Sequence, residues 1–280
     1  MSDVKAKKIG IIAGGGKIPA QFAKLCIDKG YDVHIIAIDG HAEKEDLRAF
    51  SHDVVRLGAV GRAISILIKN QIKDVVIIGS VRRPSFIELR PDLTALKILI
   101  KSSFTRQFLG DNKLLSLVKE TLHEKNIFVH AVQDLAPEFL MPQGFITNTI
   151  ALPPDYDSIA TGVKIVETLG LLDVGQAAVI QGGIVLGVEA IEGTASLLER
   201  CAHYKRNDRG AILVKLCKPQ QDKALDLPTI GPDTIKQAAA AGMVGIAVHA
   251  NNSLIINIDE LIRYADAAGI FVVGINPREF

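Results

Sequence analysis

Residues 9–19 read IGIIAGGGKIP, an apolar run that meets three consecutive glycines and then a proline. A buried strand that feeds a glycine turn and a helix presents main-chain N–H groups at the strand's carboxyl end, where α/β proteins often receive phosphate. The spacing predicts a strand over 8–13, a turn at Gly14-Gly15-Gly16 and a helix over 18–29 closed by Gly30. Outward from it, DVHIIAID (32–39) predicts a second strand, 63–72 a helix and DVVIIG (74–79) another strand. Helices are expected over 92–104 and from Gly110-Asp111 onward, with Asp111 standing where an N-cap belongs. NIFVHAV (126–132) predicts the closing strand. Such alternation implies a parallel sheet covered by helices, a Rossmann-like domain.

After residue 134 the texture changes. Pro137, Pro142, Gly144, Pro153 and Pro154 fall in a stretch of little periodicity, which places a linker at 135–153 between a domain over 1–134 and one over 154–280. In the second domain 157–169 predicts a helix, and AAVIQGGIVLGVEAIEGT predicts a hairpin turning at Gly182-Gly183. Helices over 196–203, 234–241 and 259–268 are expected among strands over 211–217, 244–248, 254–258 and 270–275. The C-terminal domain is therefore expected to be mixed α/β.

Composition excludes several classes. The 280 residues, 48% hydrophobic and 22% charged, can bury substantial cores, and a net charge of +1 leaves no electrostatic footprint for nucleic acid. The three cysteines, Cys26, Cys201 and Cys217, are too few and too scattered for a disulfide framework or a CxxC metal knuckle. No signal-peptide pattern precedes the first strand, and the longest uncharged apolar stretch, 174–188, falls short of the ~20 residues of a membrane span. A cytoplasmic protein is expected, with any membrane contact peripheral.

The glycine turn fails the Walker pattern, because Lys17 is followed by Ile18. It matches the dinucleotide fingerprint at Gly14 and Gly16 but meets Pro19 where the third glycine belongs, although Asp39 ends the second strand where a ribose-binding acid would sit. Strand 74–79 ends in Gly79-Ser80-Val81, which a parallel sheet brings to the same carboxyl edge as Gly14-Gly15-Gly16. Two glycine turns on one edge make a crevice, and Arg82 and Arg83 beside it suit a phosphate. The seven histidines show no HExxH spacing, no GxSxG elbow is present, and the GDxxD and GNH clusters of calcineurin-like phosphoesterases are missing.

The densest unusual stretch is LVKLCKPQQDKALDLPTIGPDTIK. Asp226 stands between Leu225 and Leu227, ahead of a proline turn. A carboxylate among apolar neighbours is costly unless paired or coordinated, whereas a turn-capping aspartate is the simpler alternative. Lys215 and Lys218 precede it as candidate cations. Asp111 and Glu189 are the next carboxylates in order of interest.

IGIIAGGGKIP, GSVRRPSF, GDNKLL, DVGQAAVIQGGIVLGVEAIEGT and KPQQDKALDLPTIGPDTI, in this order, resemble the LpxI-type UDP-2,3-diacylglucosamine pyrophosphatase family of lipid A biosynthesis. The resemblance runs from about Lys8 to Pro277. It implies hydrolysis of UDP-2,3-diacylglucosamine to UMP and 2,3-diacylglucosamine 1-phosphate (lipid X), dependence on a divalent metal, usually Mg²⁺, and two domains closing around the substrate. It also implies an essential Asp226, as metal ligand or general base. Substrate contacts are expected at Gly14, Gly15, Gly79, Ser80, Val81, Arg83, Asp111, Gln176, Lys215, Lys218 and Thr229. The implied substrate is a lipid, so peripheral contact with the cytoplasmic face of the inner membrane is expected; a homodimer is open. Two departures stand out: Ala195 ends the EGTA stretch where family members commonly carry aspartate, and Ser80 replaces an expected asparagine. A non-catalytic nucleotide-sugar or acyl-sugar binding protein and an NAD-binding oxidoreductase are the alternatives.

Overall fold

The computed structural model describes residues 6–81, 89–103, 111–206 and 209–280, with only the main chain at 99, 101–103 and 111–114. The chain divides into two compact units, Met1–Glu138 with Asp222–Asp226, and Phe139–Gln221 with Leu227–Phe280. The first unit carries β1 (Lys8–Ala13), α1 (Ile18–Asp28), β2 (Asp32–Ile38), β3 (His52–Val55), α2 (Val60–Lys69), β4 (Asp74–Ile78), α3 (Leu93–Ser103), α4 (Asp111–His123) and β5 (Phe128–His130). Its five strands lie in the order β3-β2-β1-β4-β5, all parallel.

Local signals explain most of these elements. Pro19 in the first turn of α1 has no N–H to leave unpaired, and Gly30, at φ +86°, follows the helix where an L-residue would be strained. Ile64 and Leu67 of α2 pack with Ile36, Val75, Leu122 and Ile127 into one core on the sheet. Asp92 joins two helix starts, its carboxylate accepting from the amides of Gly61 and Arg62 at 2.7 and 3.3 Å and of Ala95 at 2.8 Å. Strand β3 is the one strand of this unit that the sequence reading lacks, because HDVV is short and only Val55 is buried.

The second unit carries β6 (Gly144–Phe145), α5 (Pro153–Leu171), β7 (Ala177–Gln181), β8 (Ile184–Val188), α6 (Gly193–Ala202), β9 (Ala211–Lys215), β10 (Thr229–Ile230), α7 (Pro232–Ala240), β11 (Met243–His249), β12 (Leu254–Ile255), α8 (Ile258–Ala268) and β13 (Phe271–Ile275). A six-stranded sheet runs β6-β13-β11-β9-β7-β8, with β9, β11 and β13 parallel and β6, β7 and β8 each antiparallel to a neighbour. The mixed α/β expectation is met. The β7–β8 hairpin turns at Gly182 and Gly183, both at positive φ (+54° and +76°), as a two-residue loop requires to match strand twist.

Both faces of this sheet are buried. Ala177, Val179, Ala211, Leu213, Ile246 and Val248 face a core shared with Leu197, Ile235 and Leu261 of α6, α7 and α8. The alternating residues Ala178, Ile180, Ile212, Val214 and Ala247 face Ile159, Val163 and Val166 of α5. Helix α5 opens with Pro153-Pro154, and buried Asp155 both accepts the Leu152 amide at 2.7 Å and holds Arg209 by two 2.6 Å contacts. A bidentate partner offsets the desolvation of that carboxylate.

Candidate active site

In the first unit β1 is the central strand, and the chain leaves it toward β2 on one side and returns to β4 on the other. The carboxyl ends of β1 and β4 therefore flank the topological switch point, where open α/β sheets receive ligands. Gly14 donates its N–H to the Ile78 carbonyl at 2.9 Å and Gly15 to the Ser80 carbonyl at 2.6 Å, while Ser80 donates back to Gly15 at 3.0 Å. A Cβ on Gly14 would stand 2.6 Å from the Ser80 carbonyl oxygen, and one on Gly79, at φ +101°, 2.8 Å from Gly14 main chain. These glycines let two loops touch.

The Gly14 amide is engaged by the end of β4 and the Gly15 amide by the neighbouring loop, so the missing side chains here serve main-chain packing. Gly16, at φ +86°, has open space around its Cβ direction, and α1 follows with no side-chain cap at Lys17. The amides of this edge that no side chain caps are those opening α1. Val81 is exposed beside Ser80. Arg83 lies outside the described residues, as does Arg82, and Asp111 opens α4 with its side chain outside them. Asp39 holds Lys44 at 2.9 Å, and that hydrogen bond keeps its carboxyl below the usual range.

Asp226 ends the stretch that belongs to the first unit. Asp222 organises this stretch: its carboxylate accepts from the Ala224 amide at 3.0 Å, and its carbonyl from the amides of Leu225 and Asp226 at 2.8 and 3.2 Å. Lys119 of α4 pairs with the Asp222 carboxylate at 2.6 Å, and Gln133 donates to the Lys223 carbonyl at 3.2 Å. Leu225 and Leu227 are buried but Asp226 between them is exposed, so the expected penalty for a carboxylate among apolar neighbours does not arise. Asp226 is thus an exposed residue between two buried leucines.

In the second unit the carboxyl end of β9 gathers a polar group. Lys215, 7% exposed, donates to the Thr194 hydroxyl at 3.0 Å and toward the Thr229 carbonyl at 3.4 Å. Thr194 donates to one oxygen of Glu189, itself 5% exposed, at 2.5 Å, and the Gln176 amide donates to the other at 3.0 Å. Three of the expected residues thus meet here, Thr229 by its main-chain carbonyl on Lys215 and Gln176 by its main-chain N–H on Glu189, which Thr194 links to Lys215. Lys218 is placed apart, paired with Asp173 at 2.7 Å. The linking role of Thr194 had no sequence signal beyond its place in the EGTA stretch.

Among the described residues no group of three or more His, Cys, Asp and Glu side chains is arranged to hold a metal ion. A single exposed carboxylate nevertheless fits Mg²⁺, a hard cation that proteins commonly hold by one or two carboxylates together with substrate phosphates.

The LpxI N-terminal domain model matches residues 8–139 and the LpxI C-terminal domain model residues 142–273. The UDP-2,3-diacylglucosamine pyrophosphatase LpxI of Caulobacter vibrioides is 33% identical over 279 residues, covering 98% of this chain and 99% of that protein. Among solved structures, the glycinamide-RNase-transformylase T of Mycobacterium tuberculosis aligns at a TM-score of 0.24 and 11% identity, over 67% of this chain and 44% of that one. Such a score supports no comparison of folds. With consecutive family domains spanning nearly all of the sequence and a full-length relative at this identity, the chain belongs to the LpxI family.

Proposed function

We propose that this protein hydrolyses the pyrophosphate bond of UDP-2,3-diacylglucosamine, releasing UMP and 2,3-diacylglucosamine 1-phosphate. The observation that carries the reading is the end-to-end relation to the Caulobacter protein, named for that activity. Asp226, exposed at the end of a braced turn, is proposed as the reacting carboxylate, either holding Mg²⁺ or taking the proton of the attacking water. Mg²⁺, when bound, supplies charge neutralisation and an acidified water. Substrate contacts are proposed on the first unit at Gly14, Gly15, Gly79, Ser80, Val81, Arg83 and Asp111, and on the second at Gln176, Lys215, Lys218 and Thr229.

A lysine ammonium beside a diphosphate offsets charge that builds on the leaving oxygen. Because the proposed substrate carries two acyl chains, peripheral contact with the cytoplasmic face of the inner membrane is part of the reading; a homodimer is compatible with it. No helix among the described residues is long and apolar enough to cross a membrane. The test is UMP release by purified protein in Mg²⁺, repeated in excess EDTA and in ¹⁸O-water. Label in one product and silence in EDTA are expected; full rate in EDTA removes the metal, and no UMP at all removes the hydrolysis.

A further inference from the structure

We infer that Glu189 and Thr194 are positioning residues that hold the Lys215 ammonium in place for an anionic phosphate group of the substrate. The inference rests on the reading of Lys215 as a substrate contact.

Elementary donor and acceptor chemistry sets the direction of every proton in the chain of contacts. An ammonium only donates and an ionised carboxylate only accepts, so the Thr194 hydroxyl between them must accept from Lys215 (3.0 Å) and donate to Glu189 (2.5 Å). The hydroxyl has no other arrangement that satisfies both neighbours. Each contact involves an ionised partner, which makes it shorter and stronger than a neutral one. The second oxygen of Glu189 accepts from the Gln176 main-chain N–H, so both carboxylate oxygens are engaged.

Burial makes this arrangement expensive for stability alone. Glu189 and Lys215 are 5% and 7% exposed, and well-packed apolar residues of similar volume are often as stabilising as a buried charge pair. Placement points to a ligand instead. Lys215 ends β9, in register with Val248 of parallel β11, and Glu189 directly follows β8. Carboxyl ends of parallel strands are where such sheets receive ligands. Lysine has a flexible four-carbon stem, so presenting its charge at one point needs a brace, and Thr194, on the first turn of α6, supplies a rigid one.

Two assays on the full chain test this separately from hydrolysis: steady-state UMP release with Mg²⁺, and calorimetric binding of inorganic pyrophosphate in EDTA. Thr194→Val and Glu189→Gln are expected to raise KM and weaken pyrophosphate binding by roughly ten-fold, with a smaller change in kcat, as for loss of a charge-assisted hydrogen bond. Thr194→Ser, which keeps the hydroxyl, is expected within about two-fold of wild type, and Lys215→Met is expected to lose pyrophosphate binding. If Thr194→Val does not fold, Glu189→Gln and Thr194→Ser decide. Wild-type binding in Glu189→Gln or Lys215→Met, a Thr194→Ser defect as large as that of valine, or no pyrophosphate binding by wild type overturns the inference. Absence of UMP release with this binding pattern intact overturns only the hydrolytic reading.

Discussion

Gly15 and Ser80 exchange both of their main-chain hydrogen bonds, at 2.6 and 3.0 Å, and so tie the loop after β1 to the loop after β4. The glycines on this edge therefore serve a main-chain to main-chain contact at the switch point of the sheet. A side chain on Gly15 would stand 2.9 Å from the His41 carbonyl oxygen and 3.0 Å from the Ser80 hydroxyl.

Gly79→Val is accordingly expected to lower unfolding free energy by about 3 kcal/mol or more, since it combines φ +101° with a clash against immobile main chain. Gly16→Ala meets no neighbour and carries only the cost of its positive φ, about 1 kcal/mol. Urea denaturation of both variants checks the order. Equal stabilities would mean the loops separate easily.

Asp226→Ala is expected to reduce kcat by ~10²-fold or more. Its unfolding midpoint should barely move, because an exposed side chain contributes about 0.5 kcal/mol or less. Circular dichroism and UMP release on the same preparation give both answers. Near-normal turnover would transfer the reacting role to another carboxylate, with Asp111 next to be tested.

The turn that carries Asp226 is expected to loosen in acid. Burial raises the Asp222 carboxyl, but the Lys119 hydrogen bond, the Ala224 amide and the Lys119 charge outweigh it and leave the group below its ordinary value. A carboxyl lowered in the folded state stabilises above its unfolded value of about 4 and loses that contribution as pH falls through the folded value. Asp222→Asn should therefore flatten the acid limb of a stability profile measured between about pH 5 and pH 2. It should also lower kcat at neutral pH while sparing the rest of the fold. An unchanged acid limb would remove the brace from the account.

Cys26 is expected to resist thiol reagents in the folded protein. It is almost fully buried on α1, and burial pushes its thiol up to about 11, while Cys201 is raised for the same reason. The thiolate is the reactive form, so both should react with a colorimetric disulfide at pH 8 only after denaturant is added. Rapid native labelling of Cys26, located by peptide mapping, would show that α1 opens readily.

Elements whose signals are local were legible in the sequence. Strands β1, β2 and β4 are mostly apolar runs followed by glycine or aspartate, and the β7–β8 hairpin announces itself through Gly182-Gly183. Strands β3, β6 and β10 were not legible, because four, two and two residues carry too little periodicity and depend on β2, β13 and β12 for their hydrogen bonds. The motif residues of the candidate site were legible as types in order along the chain, Asp226 among them. Its exposure was not, since which of three adjacent residues is buried depends on the tertiary packing that buries Leu225 and Leu227 but not Asp226. Nor did the spacing of 189, 194 and 215 say that these side chains meet. Sheet order decides that: β7 lies between β8 and β9, and the first turn of α6 carries Thr194 between Glu189 and Lys215. Hydrogen bonds between side chains far apart in sequence exist only once strands are placed side by side, so composition and periodicity carry no trace of them.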